Sequence, residues 1–315
     1  MHTDLIRTLS EKLQADSSCS PCLLVDPMLR EPFSKDWLAD IDAEVVPVPV
    51  RHPSLKEDQR PLLIRIRPRD TPLLEASVNM AIMEQENPDA EQGGGFSIGG
   101  WLLSTGRIDG LAVRMAACMQ TAAPVRAGRR LVRWADRRVL EWMWPVLTQD
   151  QRTDLLGTVT DWFAIDRCER LVTYGKTGTG VAGTLKLSSS QWEHAQNCHV
   201  VQDLLRGWRR FRRALPMDYL RQCADAVQSI RKMGVDGRQD QVLLGAYVLQ
   251  VHPRLVEHPR FIAAVRRAAA EGVPLMGLLA EIPDPEGWEM MRADLDRQAG
   301  APVTLNQNQE NNCHG

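Results

Sequence analysis

The sequence predicts an α+β protein: an α/β-like N-terminal lobe with a mixed sheet over residues 1–180, then an all-α C-terminal lobe over residues 190–298. Three observations predict it. Short apolar runs with β-branched residues alternate with helical patterns through the first two-thirds of the chain. From Gln191 onward helical periodicity continues almost without strand signal. Pro216 opens one of these later segments, and Gly234 and Gly272 follow segment ends as C-cap glycines do. With 315 residues, 43% of them apolar and 25% charged, the chain can bury a sizeable core in one large domain or two lobes.

In chain order, MHTDLIRTLSEKLQADSS reads as an amphipathic polar helix and lacks the apolar centre of a signal peptide. Strands are expected at Cys22 to Asp26, Glu44 to Val50, Leu62 to Arg67, Gly100 to Thr105 and Arg130 to Trp134, where apolar runs end at turn residues. In LLIRIR, Ile64 and Ile66 fall on one face and Arg65 and Arg67 on the other, so one side is expected to meet water or a partner. Helices are expected at Thr71 to Gln85, Ile108 to Gln120 and Arg138 to Leu147. The stretch GGGFSIGG, Gly93 to Gly100, has no strand before it and reads as a flexible loop able to fold on a partner. Between Gly128 and Leu156 a strand-like stretch breaks at Asp136 and gives way to an amphipathic helix carrying basic and aromatic residues. That content suits holding another protein better than performing chemistry. In the second lobe helices are expected at Gln191 to Ala214, Pro216 to Met233, Gln239 to His252, His258 to Glu271 and Asp284 to Gln298. The lobe boundary is placed between Tyr174 and Gln191, where strand patterning stops. Residues 299–315 are polar, lack periodicity and read as a disordered tail.

Charge and cysteine content exclude several classes. Lys and Arg number 38 against 40 Asp and Glu, a formal net charge of −2, so no global field draws the chain to nucleic acid. No apolar run reaches the roughly eighteen residues of a membrane span, and a cytoplasmic protein without membrane insertion is expected. Seven cysteines scattered over a long chain make no disulfide framework. Cys19 and Cys22 have CxxC spacing, but no second pair completes four metal ligands, and neither metal nor cofactor is expected. YGKTGTG, Tyr174 to Gly180, has Arg170 where a phosphate loop needs its first glycine and reads as a turn.

One segment has the composition of a binding face. Arg206, Arg209, Arg210, Arg212 and Arg213 surround Trp208 and Phe211 on one expected helix, and arginine with aromatics is what interface hot spots favour. Trp134, Trp142 and Trp144 suit a core equally well at their spacing. A reading of another class is an uncharacterised hydrolase or transferase with a site assembled from distant residues such as Asp136, Asp161 and His194; no acid, base and nucleophile at consistent spacing supports a triad.

The chain resembles the type VI secretion adaptors, or effector chaperones, whose genes usually lie between a spike gene and a toxin gene. The resemblance runs through LLVDPMLREPF from Leu23, RPLLIRIRP from Arg60, GGWLLST from Gly99, LVRWADRRVLEWMWPVL from Leu131, LLGTVTDWF from Leu155 and LKLSSSQWEHA from Leu185. It covers roughly residues 20 to 295. The family has Asp-Pro-Arg where this chain reads Asp136, Arg137 and Arg138, and a glycine where it has Pro27. The resemblance implies an α/β lobe followed by a helical lobe, as read from the patterns above. It also implies binding of a toxic effector and its delivery to the spike protein, without catalysis. Asp26, Arg133, Trp134, Asp136 and Arg138 are the matching motif residues, and they are expected to be structural.

Overall fold

The computed structural model describes residues 2–67, 70–122, 129–176, 182–211 and 215–300. The fold is α+β, and the chain divides into two compact units, Met1–Tyr219 and Leu220–Gly315.

The first unit runs α1 (His2–Gln14), β1 (Ser20–Val25), α2 (Lys35–Asp40), β2 (Val45–Pro47), β3 (Leu62–Arg65), α3 (Thr71–Glu86), α4 (Pro88–Gly94) and β4 (Ile98–Ser104). It continues through α5 (Ile108–Met119), β5 (Gln120–Ala122), β6 (Arg129–Leu131), α6 (Arg137–Met143), α7 (Gln149–Leu156), β7 (Val159–Ile165), β8 (Leu171–Gly175), α8 (Ser189–Gln196) and α9 (Cys198–Phe211). Six strands form one sheet in the order β2-β3-β1-β4-β7-β8, and β5 pairs with β6 apart from it. Each neighbour in the sheet is antiparallel, so the mixed sheet expected from alternating strands and helices is not what forms.

Both faces of the sheet are covered. One packs Leu23, Ile64, Trp101 and Phe163 against Leu9 and Leu13 of α1 and Leu73, Val78 and Ile82 of α3. The alternate residues Leu24, Leu63, Leu102 and Trp162 are also fully buried, on the side of α5, α6 and α7. All seven residues of β4 are buried. The strand is therefore central, and its sequence Ile-Gly-Gly-Trp-Leu-Leu-Ser shows how it fits. A Cβ on Gly99 would lie 2.3 Å from the carbonyl oxygen of Ala135, and Gly100 has φ +131° with its missing Cβ aimed at the Phe163 carbonyl. The glycine run read as a flexible loop is thus built into the fold: Gly93 and Gly94 end α4, residues 95–97 are buried, and Ile98 starts the strand. Close backbone approach, not flexibility, is why glycine stands there.

Strands β5, β7 and β8 were not anticipated. The expected helix at Gln191 to Ala214 is two helices, α8 and α9, with Asn197 between them; Ser188 and Gln191 form a capping box at the start of α8. Both belong to the first unit, so the end of strand patterning near residue 190 is not the boundary between the units. Its helices pack onto the sheet unit: the Trp142 indole N–H donates to the His194 carbonyl at 2.9 Å, and Arg167 reaches Gln202.

The second unit comprises α10 (Tyr219–Lys232, whose first residue belongs to the first unit), α11 (Arg238–Gln250), α12 (Pro259–Glu271), α13 (Leu275–Ala280) and α14 (Glu286–Gly300). Pro216 lies in the turn before α10, its carbonyl accepting from the Tyr219 N–H at 3.2 Å. Ile230, Leu244, Val248, Phe261, Leu279, Met291 and Leu295 form the core. Tyr247 stacks on Trp288 at 4.4 Å. Gly272, at φ +66°, caps α12 as its sequence position predicts. The expected tail from residue 301 lies outside the described residues.

Candidate functional site

The turn from β6 into α6 converts the Asp136–Arg137–Arg138 segment into the centre of an ion-pair network. Asp136 caps α6 by accepting from the Arg138 backbone N–H at 3.0 Å. The same carboxylate receives the Arg138 guanidinium at 2.7 to 3.2 Å. Arg137 points inward, donating to Glu84 at 2.9 Å and to the Ile98 carbonyl at 2.8 Å. Glu84 also takes the Ser97 N–H at 2.6 Å, which ties α3 to the start of β4.

Glu91 on α4 is the hub. Arg167 grips it at 2.6 and 3.0 Å, Arg138 approaches to 3.3 Å and Arg206 to 3.7 Å. The guanidinium carbons of Arg137, Arg138 and Arg167 stand 4.0, 4.9 and 5.0 Å from the centre of the Phe96 ring, within cation–π range. At the edge of this assembly Arg133 holds Asp26 at 2.8 and 3.1 Å, while the Asp26 N–H donates to the Ser97 carbonyl. Trp134 is wholly buried, its indole N–H on the Cys118 carbonyl at 3.1 Å.

Burial pushes the carboxyls of Glu91, Asp136 and Asp26 up, and the neighbouring arginines decide the outcome. For Glu91 the attraction of Arg167, Arg138 and Arg206 overcomes burial and holds the group below its ordinary range. For Asp136 the Arg138 charge and hydrogen bonds do the same. Asp26 stays above its usual value because burial outweighs Arg133. Glu141 on α6 behaves differently. Its carboxyl, enclosed although the residue keeps some exposure, accepts a hydrogen bond from the Tyr219 hydroxyl, and burial lifts it to about 7.

The sequence-predicted residues fall into three groups. Asp26, Arg133, Trp134, Asp136 and Arg138 come together in the network just described. Arg206 joins that network instead of facing solvent, Trp208 is buried, and Arg209 is 13% exposed with Glu169 at 3.9 Å. These three therefore do not make an open arginine-aromatic face; their helix turns them inward toward carboxylates on α4 and the β7–β8 turn. Arg210 and Phe211 fall in the last turn of α9, and Arg212 and Arg213 lie outside the described residues. The third group, Asp136, Asp161 and His194, is not brought together by any shared bond: Asp136 serves Arg138, Asp161 is on β7, and His194 stacks on Trp142 at 4.0 Å with Nε2 against the Trp142 carbonyl. Glu84, Glu91, Phe96 and Arg167 escaped sequence reasoning. Their only signal was position next to the glycine run and the β7 end, which no local pattern connects to Arg138.

A groove of about 480 Å³ opens beside α1, β1, β3 and the start of α3, with Leu13, Pro21, Ile66 and Leu74 in its lining and Asp16, Arg65, Arg67 and Asp70 around it. Its charges are engaged locally: Arg65 with Glu44 at 2.6 Å, and Arg67 with Asp42 and Asp70 at 3.1 Å. The side of LLIRIR expected to meet water or a partner is thus lined by ion pairs. Cys19 and Cys22 are both buried near it, and burial raises the Cys22 thiol to about 11, which suits a packed thiol rather than a ligand or nucleophile. Among the described residues no group of three or more His, Cys, Asp or Glu is placed to hold a metal ion, and no helix is long and apolar enough to cross a membrane.

Compared with protein families, with curated proteins and with solved structures, the chain finds no match.

Proposed function

We propose that this protein is a non-catalytic adaptor that binds a toxic effector and loads it onto the spike protein of a type VI secretion system. It works in the cytoplasm, without cofactor, nucleic acid or membrane insertion. The observation that carries the reading is the convergence of the resembling stretches. Asp26, Arg133, Asp136 and Arg138, separated by up to a hundred residues and more, lie in neighbouring ion-pair groups, Asp26–Arg133, Arg137–Glu84 and Asp136–Arg138–Glu91–Arg167, with Ser97 bonded to both Asp26 and Glu84. Their charges are spent on one another. A reaction centre needs at least one such group aimed at a substrate, whereas a scaffold for holding a protein needs them paired and fixed. Partner contacts then belong to the surface around this frame.

The test is recovery of partners from the native host. Tagged protein should carry down the toxin-like product of an adjacent gene and the spike protein. Deleting the gene should remove the toxin from the secreted fraction while the spike is still released. If neither protein is recovered and secretion of the toxin survives the deletion, the adaptor reading fails.

A further inference from the structure

The ion pairs around Glu91 leave a set of buried donors unmet along α9. Gln202, Arg206 and Arg209 follow one another at spacings of four and three residues, so they share one face of the helix, the face turned to α4. Arg206 bonds to Asp203 and stands 3.7 Å from Glu91. The Arg209 side chain is 13% exposed, and the Glu169 carboxylate lies 3.9 Å from it, beyond hydrogen-bond reach. Among the described residues, Nη1 of Arg209 is enclosed with no hydrogen-bond partner. The same holds for Nε of Arg167, whose side chain is 1% exposed, and for Nε2 of Gln202, a buried residue with the Cys198 thiol, a weak acceptor, beside it. These groups border one hub, because Arg167 both grips Glu91 and donates to the side-chain oxygen of Gln202. Burial, and then the like charge of Arg167, push the Arg209 guanidinium below its ordinary value.

We propose that this face of α9, with Arg167 of the β7–β8 turn, is a binding site for one phosphate group, entered past Arg206 and Arg209. The inference stands apart from the adaptor reading. The ligand class follows from what is unmet. Each of the three groups is an N–H donor, so water, which brings donors of its own, leaves a mismatch, whereas an oxyanion only accepts. Donors set in three separate groups suit the several terminal oxygens of a phosphate better than the single planar edge of a carboxylate. Arg206 and Arg209, 15% and 13% exposed, are where the stripe reaches solvent. Arg209 gains most: by turning to the ligand it exchanges an enclosed, unbonded N–H for a bidentate bond. The carboxylates nearby do not compete for it, since Glu91 is held by Arg167 and Arg138, and Glu169 makes no hydrogen bond to Arg209 that the ligand has to break.

The test uses the full chain with inorganic phosphate as the probe and sodium chloride of equal ionic strength as the reference, since screening alone acts on the exposed ion pairs. Calorimetric titration should give one site with a dissociation constant of about 1 mM or below. Phosphate in about tenfold excess over that value should raise the unfolding midpoint by about 2–4 °C relative to chloride. Arg209→Gln should unfold no earlier than wild type in chloride, because it removes an unbonded charge, and should bind phosphate at least about tenfold more weakly. A residue that merely holds the fold together shows the reverse, earlier unfolding with the phosphate response kept. If that variant fails to fold, Arg209→Lys keeps the charge without the fork and should weaken phosphate at least about threefold. Glycerol phosphate separates the sources of the group: binding as tight as inorganic phosphate assigns it to a larger ligand, and exclusion assigns the free ion. A wild type that responds to phosphate no more than to chloride overturns the proposal. So does an undiminished response in a folded Arg209 variant.

Discussion

Glu91 in the first unit is 1% exposed and has arginines at 2.6, 3.3 and 3.7 Å, whereas Arg267 in the second unit meets Glu271 and Glu281 from a side chain half in solvent. The chemistry of the pairs is the same and the surroundings are not. Around Glu91 water has been replaced by fixed guanidinium groups, so each member depends on its partners. Around Arg267 water can take the place of either partner. The sheet unit thus builds arginine–carboxylate pairs into its interior, whereas those described in the helical unit lie in solvent, which divides the molecule into a part intolerant of changes to such pairs and a part that absorbs them.

The largest expected effect comes from Glu91→Ala. It leaves arginines buried without their shared anion, and urea unfolding should show a loss of about 3–5 kcal/mol. A loss under about 1 kcal/mol would mean that water reaches the hub and that the two units do not differ as described. Next is Gly99→Ala, whose new methyl meets the Ala135 carbonyl; a cost of at least about 2 kcal/mol is expected in the same assay.

Third comes the pH dependence set by Glu141. Its folded-state value is raised from 4.5 to about 7, so the stability it contributes is fully present below 4.5 and is lost as pH rises toward 7. Glu141→Gln keeps an acceptor for Tyr219 and cannot ionise. Between those two pH values wild type should therefore lose roughly 2 kcal/mol relative to the variant, allowing for residual solvent access. Parallel pH profiles for the two proteins would refute the assignment. Fourth, Gly277 in α13 has open space where a Cβ would go, so Gly277→Ala should stabilise by about 0.5–1 kcal/mol, opposite in sign to Gly99→Ala. Last, Arg267→Ala should leave the unfolding midpoint unchanged within error; a clear drop would show that the second unit also leans on its ion pairs.

The same division governs what could be read from sequence. The helical unit obeyed periodicity: α11, α12 and α14 lie where apolar spacing puts them, and only the short α13 was absent from that reading. In the sheet unit β1, β3 and β4 were recognisable from apolar runs. β7 and β8 were not, because Asp161, Thr160 and Thr173 dilute the run and their burial depends on neighbours distant in sequence. Glycine at 99 and 100 reads locally as flexibility, and only the Ala135 and Phe163 carbonyls reveal that it reports crowding. The arginines of α9 mislead for a related reason. A cluster of like charges normally faces water, and nothing within the helix announces that Glu91, more than a hundred residues earlier, is waiting for Arg206.

That separation along the chain has a consequence for biogenesis. Glu91 is made long before Arg167, and Arg167 before α9, so a nascent chain emerging from the ribosome holds a carboxylate hub and the glycine-rich β4 without the partners that complete them. β4 itself cannot be flanked on both sides until β7 has been synthesised. Such long-range closure makes folding slow and leaves the interval before it exposed to aggregation. The first unit should reach its native state only after about residue 206 has left the exit tunnel, in one late step rather than strand by strand.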